Sequence, residues 1–305
     1  MGEVFLSSQE VTKQFDDRVS IVMITRDRRH EADRSLRMLA ELPEHPRIIV
    51  VDNGSTDGTA RMVRNRHPEV HLIDARSNLA SAGRTLGVRA ATTPYVAFSD
   101  DDSWWEPGAL RRAADLLDVH PTLGLIAAHI LVGADDRDDP VCAQMARSPL
   151  PPVPGAPGTP VLGFLAGMSV VRRDAYLAVG GFAACVGVGG EEAWVAADLA
   201  AAGWHLSYVP DVVARHMPSA QRNPDGRRRI DLRNALWFAW TRRPLPVAAR
   251  RTATLLRAAR RDRVTSGALA DAVRGWSWVQ RTRRPLPPEV DAALELLDRP
   301  AARAA

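Results

Sequence analysis

The chain has 305 residues, of which 46% are hydrophobic and 25% are charged. That length allows one large domain or two closely packed domains with a substantial core. The composition is ordinary for a globular protein, so predominant disorder and a collagen-like or fibrous chain are excluded.

The cysteine count and the net charge further limit which classes of protein are possible. Cys142 and Cys185 are too few for a disulfide framework or a four-thiolate zinc site, so we expect two free thiols in a reducing compartment. The net charge is +4 and the isoelectric point is about 9.6. Lys13 is the only lysine, so the positive charge is almost entirely arginine, and the isoelectric point alone does not indicate a nucleic-acid partner.

Targeting and membrane-spanning segments are not predicted. Met1–Arg18 has no apolar core of a secretory signal, and the longest apolar runs, such as Val161–Val171, are too short to cross a bilayer. We therefore expect a cytoplasmic protein with at most peripheral contact at the inner membrane face.

Strands and helices alternate through the first half of the chain. Apolar, β-branched runs predict strands, and apolar residues at helical spacing predict helices between them. The predicted strands cover residues 19–25, 47–51, 70–73 and 95–98, and the predicted helices cover 34–42, 59–66, 82–91 and 108–119. Continuous apolar strands alternating with helices indicate an α/β fold with a parallel sheet covered on both faces, whose ligands bind beyond the carboxyl ends of the strands.

A proline- and glycine-rich stretch, Ser148–Pro160, divides the chain. It excludes helix and central strand, and it predicts a linker or a loop that borders a site. The predicted organisation is an N-terminal extension over 1–18, a first half over 19–147, a second half over 148–220, and a basic helical region over 221–305.

The first candidate site follows the second predicted strand, where the sequence reads Asp52-Asn53-Gly54-Ser55-Thr56-Asp57-Gly58. A carboxylate at a strand end, followed by a turn and a helix start, suits a polar ligand. The same residues also suit a purely structural role, with the hydroxyl and acidic residues capping the helix and Gly54 forming the turn. The segment alone favours the structural role, and it lacks the dinucleotide-binding glycine pattern.

The second candidate site follows the fourth strand, at Asp100-Asp101-Asp102. Three adjacent carboxylates repel one another, and a divalent cation would relieve that repulsion. Alternate residues of a turn can face one ion, so Asp100 and Asp102 are the predicted ligands. The alternative is a solvated turn before the helix at Gly108.

The second half of the chain adds two acidic residues and a histidine. Glu191 and Glu192 follow a glycine-rich loop at a predicted helix start, which suits either a structural role or a general base. His216 follows a strand-like run over 206–209 and a predicted turn at Pro210-Asp211. It becomes a candidate nitrogen ligand if it lies near Asp100 and Asp102.

Taken in order, these segments resemble the family 2 glycosyltransferases of the GT-A fold, from about Val19 to His216. For the nucleotide side, the resemblance implies that Thr25 and Arg28 belong to the uracil-side segment and that Asp52, followed by Asn53 and Gly54, contacts the base. Asn78–Gly87, in which Arg84 is retained, resembles the segment that lines the nucleotide. Asp100-Asp101-Asp102 resembles the DXD metal motif, with Trp105 and Pro107 at the expected offsets, and His216 resembles the histidine of the metal or diphosphate site. Gly180-Gly181-Phe182 resembles the GGF turn, and Gly190-Glu191-Glu192 resembles the acceptor-side GED motif.

Three departures from the family pattern stand out. The catalytic aspartate of the GED motif is replaced by Glu192, which is about one methylene longer. Trp194 stands at the next acidic position and could stack on a sugar or simply pack. Thr85 stands where asparagine is usual.

The resemblance implies transfer of a sugar from a nucleoside diphosphate donor, of the UDP type, to an acceptor hydroxyl or amine, with Mg²⁺ or Mn²⁺ as cofactor. Asp102 would ligate the ion directly, and Asp100 would act through water or the ribose. Glu192 would accept the acceptor's proton, with Glu191 as the second candidate base. One-step displacement would invert the anomeric configuration, and a retaining outcome stays open.

Two other functions compete with this one. A GT-A domain that binds a nucleotide sugar without turning it over is suggested by Glu192 and Trp194. A sugar nucleotidyltransferase would need a glycine-rich loop after the first strand, where this chain has none. A processive membrane-embedded polysaccharide synthase is disfavoured, because no membrane-spanning segment is predicted. The acceptor can be a small molecule, a carrier-bound molecule or a lipid-linked molecule. The identity of the sugar and the oligomeric state also stay open.

The arginine-rich residues after Arg222 support three interpretations. We favour a helical subdomain that packs on the sheet, with Leu255, Leu256, Ala259 and Val264 on one helical face. Attachment of a basic amphipathic helix to anionic lipid is the second. Nucleic-acid binding is the third and is disfavoured, because the aromatic residues are clustered as in a core. Those aromatic residues are Trp237, Trp240, Trp276 and Trp278.

Overall fold

The computed structural model describes residues 17–218 and 224–299. The strands are β1 (Val19–Thr25), β2 (Arg47–Asp52), β3 (His71–Asp74), β4 (Tyr95–Asp100), β5 (Ser103–Trp105), β6 (Leu123–Val132), β7 (Arg137–Asp138), β8 (Thr159–Pro160), β9 (Ser169–Arg172) and β10 (His205–His216). The helices are α1 (Arg29–Ala40), α2 (Thr59–Arg66), α3 (Ala82–Ala90), α4 (Ala109–Val119), α5 (Pro140–Ala146), α6 (Arg173–Ala178), α7 (Glu192–Ala201), α8 (Pro224–Arg242), α9 (Leu245–Ala259), α10 (Arg263–Arg274), α11 (Trp276–Thr282) and α12 (Pro288–Asp298). A 3₁₀ turn covers Ala166–Met168.

The strands form one mixed sheet in which eight follow the order β3-β2-β1-β4-β9-β6-β10-β5, while β7 pairs with β6 and β8 pairs with β10. The first four are parallel to one another, as predicted, and β10 is parallel to β6. β9 runs antiparallel to both of its neighbours, and β5 runs antiparallel to β10. The predicted α/β class, with a mostly parallel sheet and C-terminal helices, is confirmed.

The helix α1 begins five residues before its predicted start. Its first two turns are polar, so apolar spacing alone does not reveal them. Asp33 is buried in this region because Arg37, Arg66 and His67 surround its carboxylate, with the His67 nitrogen 2.9 Å away. The start of α1 is therefore packed through this polar cluster and not through the apolar side chains on which the sequence prediction of a helix relies.

The predicted turn at Pro210-Asp211 is wrong. β10 continues through these residues to His216, with a register shift between Val209 and Val213 that marks a bulge. Proline has no backbone N–H to donate, and a bulge lets the strand continue past it. The longer strand pairs His216 with Ser103 of β5, directly after the acidic motif.

Two apolar clusters fill the interior. The larger lies on the sheet, and the smaller joins α7 to the C-terminal helices. The smaller includes Trp194, Trp237 and Phe238, and the ring centroids of Trp237 and Trp278 lie 5.3 Å apart. Trp237, Trp240 and Trp278 therefore belong to this cluster, as predicted, whereas Trp276 is 38% exposed and contacts its edge through Trp240.

The predicted apolar face that joins α9 to Val264 is wrong. α9 ends at Ala259, and Asp262 caps the start of α10 by accepting a hydrogen bond from the Val264 N–H at 3.0 Å. Leu256 is 54% exposed. None of the helices within the described ranges is long and apolar enough to cross a membrane.

Candidate active site

The carboxyl ends of β1, β2 and β4 bring the first candidate residues to one edge of the sheet. Thr25 pairs in register with Asp52, and Ile24 pairs with both Val51 and Asp100. Because parallel strands end together, residues far apart in sequence meet at this edge.

Side-chain hydrogen bonds hold most of the loop after β2, but the buried Oδ1 of Asn53 has no partner among the described residues. Asp52 is buried, and its carboxylate accepts hydrogen bonds from the Ser55 hydroxyl and from the Ser55 N–H, the latter at 3.0 Å. Asn53 donates from Nδ2 to the Ala80 carbonyl at 3.1 Å, and Gly54 takes φ +73°.

The predicted turn at Gly54 is present, and Asp57 accepts from the Thr59 N–H at 2.9 Å at the start of α2. The hydroxyls of Ser55 and Thr56 do not cap this helix, because its N-cap is Gly58, which has no side-chain hydrogen bond. Base recognition by Asp52 stays a prediction.

Asp100, the first residue of the acidic motif, is held by Arg84 of α3. The guanidinium of Arg84 is almost fully buried and donates to Asp100 Oδ1. Burial alone would lower the pKa of Arg84. The charges of Asp100, Glu191 and Glu192 raise it by more than burial lowers it, so the net shift is upward. The backbone N–H of Asp100 donates to the Ser103 hydroxyl at 2.8 Å, which fixes the turn.

Asp101 and Asp102 face a different cation. Nη1 of Arg28 lies 3.9 Å from Asp101 Oδ1 and 3.6 Å from Asp102 Oδ2. Burial raises the pKa of Asp101 to about 7; Arg28 opposes this rise, and the neighbouring charges of Asp100 and Asp102 add to it. Arg28 therefore reaches the acidic motif, although the resemblance placed it on the uracil side.

Two of the three predicted metal ligands lie together. Nε2 of His216 is 3.4 Å from Asp102 Oδ1, whereas Asp100 is engaged by Arg84. Within residues 17–218 and 224–299, no group of three or more His, Cys, Asp and Glu side chains is arranged to hold a metal ion.

The donor chemistry of the remaining pair nevertheless suits a divalent cation. Asp102 offers carboxylate oxygens, and His216 has a buried Nδ1 without a hydrogen-bond partner. Mg²⁺ and Mn²⁺ take one or two carboxylates and fill their remaining positions with water and substrate phosphates.

Glu191 and Glu192 have different hydrogen-bond partners. Glu191 is 3% exposed; its Oε2 accepts from the Gly189 N–H, and its Oε1 lies 3.9 Å from Arg84 Nη1. Glu192 accepts from the Ala166 N–H at 3.4 Å. Desolvation raises the pKa of Glu192 to about 7, and the Glu191 charge contributes in the same direction.

The 3₁₀ turn connects the two halves of the site, a link that motif reasoning missed. Its Ala166 N–H contacts Glu192, and a Cβ added to Gly167 would overlap the Asp100 carboxylate. The candidate base and the acidic motif therefore adjoin the same turn. The signal in sequence was an alanine and a glycine inside the apolar run Val161–Val171.

The departures Trp194 and Thr85 have structural explanations. Trp194 is 7% exposed, donates from Nε1 to the Thr241 hydroxyl at 2.9 Å, and packs edge-on against Phe238. It packs in the apolar cluster of the C-terminal helices. The Thr85 hydroxyl accepts from the Phe182 N–H at 2.9 Å and so holds the GGF turn.

Comparison with known proteins identifies the class. The fold matches a mannosyltransferase of Pyrobaculum calidifontis solved in complex with GDP-Man and Mn²⁺, with TM-score 0.54 and 19% identity over 93% of this chain and 88% of that one. It also matches S. aureus TarS residues 1–349 in complex with UDP, with TM-score 0.54 and 15% identity over 73% of this chain and 72% of that one. The fold is therefore that of the GT-A glycosyltransferases.

The model of glycosyl transferase family 2 matches residues 20–180, so the chain belongs to that family and is a glycosyltransferase. The N-acetylglucosaminyl-diphospho-decaprenol L-rhamnosyltransferase of Mycobacterium tuberculosis is 26% identical in an alignment of 238 positions, which covers 66% of this chain and 76% of the relative. An uncharacterised glycosyltransferase of Mycobacterium bovis is 42% identical over 81 residues, covering 27% of this chain and 36% of the relative.

Proposed function

We propose that the chain transfers a sugar from a nucleoside diphosphate donor, of the UDP type, to an acceptor hydroxyl or amine, with inversion at the anomeric carbon and with a divalent cation. One observation carries the proposal. Glu192, a carboxyl whose pKa is about 7, adjoins the same 3₁₀ turn as Asp100 of the acidic motif. A base poised near neutral pH beside a diphosphate-binding motif suits glycosyl transfer.

Each residue of the site has a distinct task in this reaction. Glu192 accepts the proton of the attacking O–H or N–H as the new bond to the anomeric carbon forms and the bond to the diphosphate breaks. Arg84 fixes Asp100 and Glu191, which keeps the acidic motif and the base loop in one arrangement. Asp102 and His216 would hold the cation, which when bound would neutralise the charge on the leaving diphosphate.

The acceptor is proposed as a lipid-linked molecule. The support is the rhamnosyltransferase relative, which is named for a decaprenol-linked N-acetylglucosaminyl diphosphate. Carrier-bound and small-molecule acceptors belong in the same test panel.

Donor binding and metal use are tested together. We expect UDP and UDP-sugars to raise the melting temperature more with Mn²⁺ than with EDTA, because only ligands that bind the native state stabilise it. Transfer is then assayed with the best donor and the acceptor panel. Donor stabilisation without transfer to any acceptor would favour a non-catalytic binding domain.

The cation site is tested by Asp102→Ala. We expect this variant to lose at least about 100-fold of its Mn²⁺-dependent turnover, since a bound cation supplies several kcal/mol of charge stabilisation. Asp135→Ala, at an exposed acidic residue outside the site, is the matched control and should keep wild-type activity. Unchanged turnover in Asp102→Ala would remove the metal assignment.

A further inference from the structure

The outer face of α9 carries an exposed apolar stripe. Leu245 is 56% exposed and Leu256 is 54% exposed. At 3.6 residues per turn, Leu245, Ala249 and Leu256 lie within about 40° of one another on the helix. Val247 on the opposite face and Ala248 on the flank are buried.

An arginine stripe runs beside this apolar stripe. Arg250 and Arg257, seven residues apart, are exposed and lie on one line along α9. Arg260 and Arg261 continue the positive charge just beyond the helix end, and both are exposed. These four arginines and the exposed leucines together form the surface called here the outer α9 face.

The positive charge on the outer α9 face is not neutralised within the described chain. Residues 245–261 include five arginines and no acidic residue. Only Arg251 among them has an acidic partner in the described ranges, Asp298 at 2.7 Å. Two arginines of α8 contrast with this, since Arg228 pairs with Asp262 and Arg229 with Asp271, both at 2.6 Å.

We propose that the outer α9 face docks the protein on an anionic lipid bilayer. A helix with leucines beside a row of arginines lies in the interface, with its apolar stripe at the acyl boundary and its arginines at the headgroups. A nucleic acid would neutralise the arginines but leave the leucines in water, so it matches only half of the surface.

This proposal is independent of the proposed reaction, because lipid binding is measured without turnover. The probe is a vesicle of equal parts phosphatidylglycerol and phosphatidylcholine, compared with phosphatidylcholine alone. Co-sedimentation of the full chain is measured at low salt and at about 150 mM salt. We expect binding to the anionic vesicles only, weakened by salt.

Charge reversal at the arginine stripe tests the electrostatic part. Arg250→Glu/Arg257→Glu should lower the vesicle partition constant by at least about 100-fold, because each unit of positive charge near an anionic surface contributes about fivefold and each reversal changes the charge by two units. Arg89→Glu/Arg111→Glu changes the net charge equally at exposed arginines of α3 and α4 and should change binding by less than about threefold. Equal loss in this control would overturn the proposal.

Removal of the leucines tests the apolar part. Leu245→Ser/Leu256→Ser should weaken binding and make the remainder more salt-sensitive, because only the electrostatic attraction is left. Circular dichroism and melting temperature confirm that each variant folds. Membrane docking would be refuted if the protein bound neutral vesicles equally well or bound no vesicle. It would also be refuted if the leucine variant bound as well as the wild type and the wild type bound a short DNA duplex with the same affinity.

Discussion

Glu191 and Glu192 are adjacent in sequence, yet the structure gives them different partners. Glu191 is buried against Arg84 and the glycine loop, so its carboxylate is engaged by the protein. Glu192 accepts from the Ala166 N–H at 3.4 Å and from its own backbone N–H, and burial with the Glu191 charge raises its pKa to about 7. A base must be free to accept a proton, so the structure favours Glu192 for that role.

Glu192→Gln tests this role. We expect kcat to fall by about 100-fold or more while UDP binding is retained. In the wild type, the carboxyl is protonated below pH 7, so kcat/KM should rise about tenfold per pH unit up to about 7 and then level off. Glu41→Gln, at an exposed residue, is the control. A Glu192→Gln enzyme with the same ascending limb would move the base elsewhere.

The same proton can be followed without substrate. The pKa of Glu192 rises from its usual 4.5 to about 7 on folding, so between these values the native state holds a proton that the unfolded chain releases. The free energy of unfolding should therefore fall as pH rises through this window, and less so in Glu192→Gln. Urea unfolding at the two ends of the window measures the difference. Identical pH dependence in both proteins would contradict the assignment.

Arg84 is the second residue whose environment makes a prediction. Arg84→Met leaves Glu191, whose side chain is 2% exposed, without its cation, and should cost about 3 kcal/mol or more of unfolding free energy. Arg64→Met removes an exposed ion pair with Asp74 and should cost less than about 1 kcal/mol. Urea unfolding compares the two, and equal costs would show that Arg84 does not hold the site together.

At the scale of elements, α8 holds the loop that precedes the base. Asn234 of α8 is 1% exposed, and its Nδ2 donates to the Val186 carbonyl at 3.0 Å and to the Gly189 carbonyl. Ser81, before α3, donates to the Gly187 carbonyl at 2.6 Å. The glycine-rich loop before Glu191 is therefore held on one side by Ser81, next to α3, and on the other by Asn234 of α8.

Asn234→Ala should release this loop. We expect kcat to fall about tenfold while the KM for the donor changes little, because the donor edge of the sheet is unaltered. The lost hydrogen bonds should also lower the unfolding free energy by about 1–3 kcal/mol. Asn65→Ala, at an exposed asparagine of α2, should leave both quantities unchanged. A stability loss without any loss of kcat would leave Asn234 a purely structural residue.

At the scale of the whole molecule, α7 joins the two apolar clusters. Val195 and Leu199 pack into the sheet cluster, whereas Trp194 and Ala197 pack into the C-terminal cluster. The sheet and the C-terminal helices thus share α7, the helix that begins with the candidate base Glu192. The predicted boundary at residue 221 stays a prediction, and the packing crosses it.

Trp194→Ala should destabilise the whole protein. Removing a buried tryptophan costs about 3–5 kcal/mol, because the neighbouring side chains fill the cavity only in part. Trp276→Ala, at a tryptophan that is 38% exposed, should cost less. Urea unfolding gives both costs, and transfer assays give the donor KM. A large rise in donor KM without loss of stability would revive sugar stacking by Trp194.

Local patterns in the sequence were sufficient for the strands at the site. The run at residues 19–25 predicted β1 with its correct bounds, and Asp52 and Asp100 were correctly placed at strand ends. These features depend on side-chain type and spacing within a few residues, so a single sequence carries them. The ordered motifs likewise predicted the family, because their order and spacing are properties of the chain itself.

Only the tertiary structure decided which charged groups meet. Asp100 contacts Arg84, Asp102 contacts His216, and Glu192 contacts the turn at Ala166. These pairs form between elements distant in sequence. The contact of His216 depends on the bulge in β10, and the other two depend on how α3 and the 3₁₀ turn pack at the sheet edge. Partner choice and raised pKa values arise from desolvation and from charges brought close by folding, which no local pattern records.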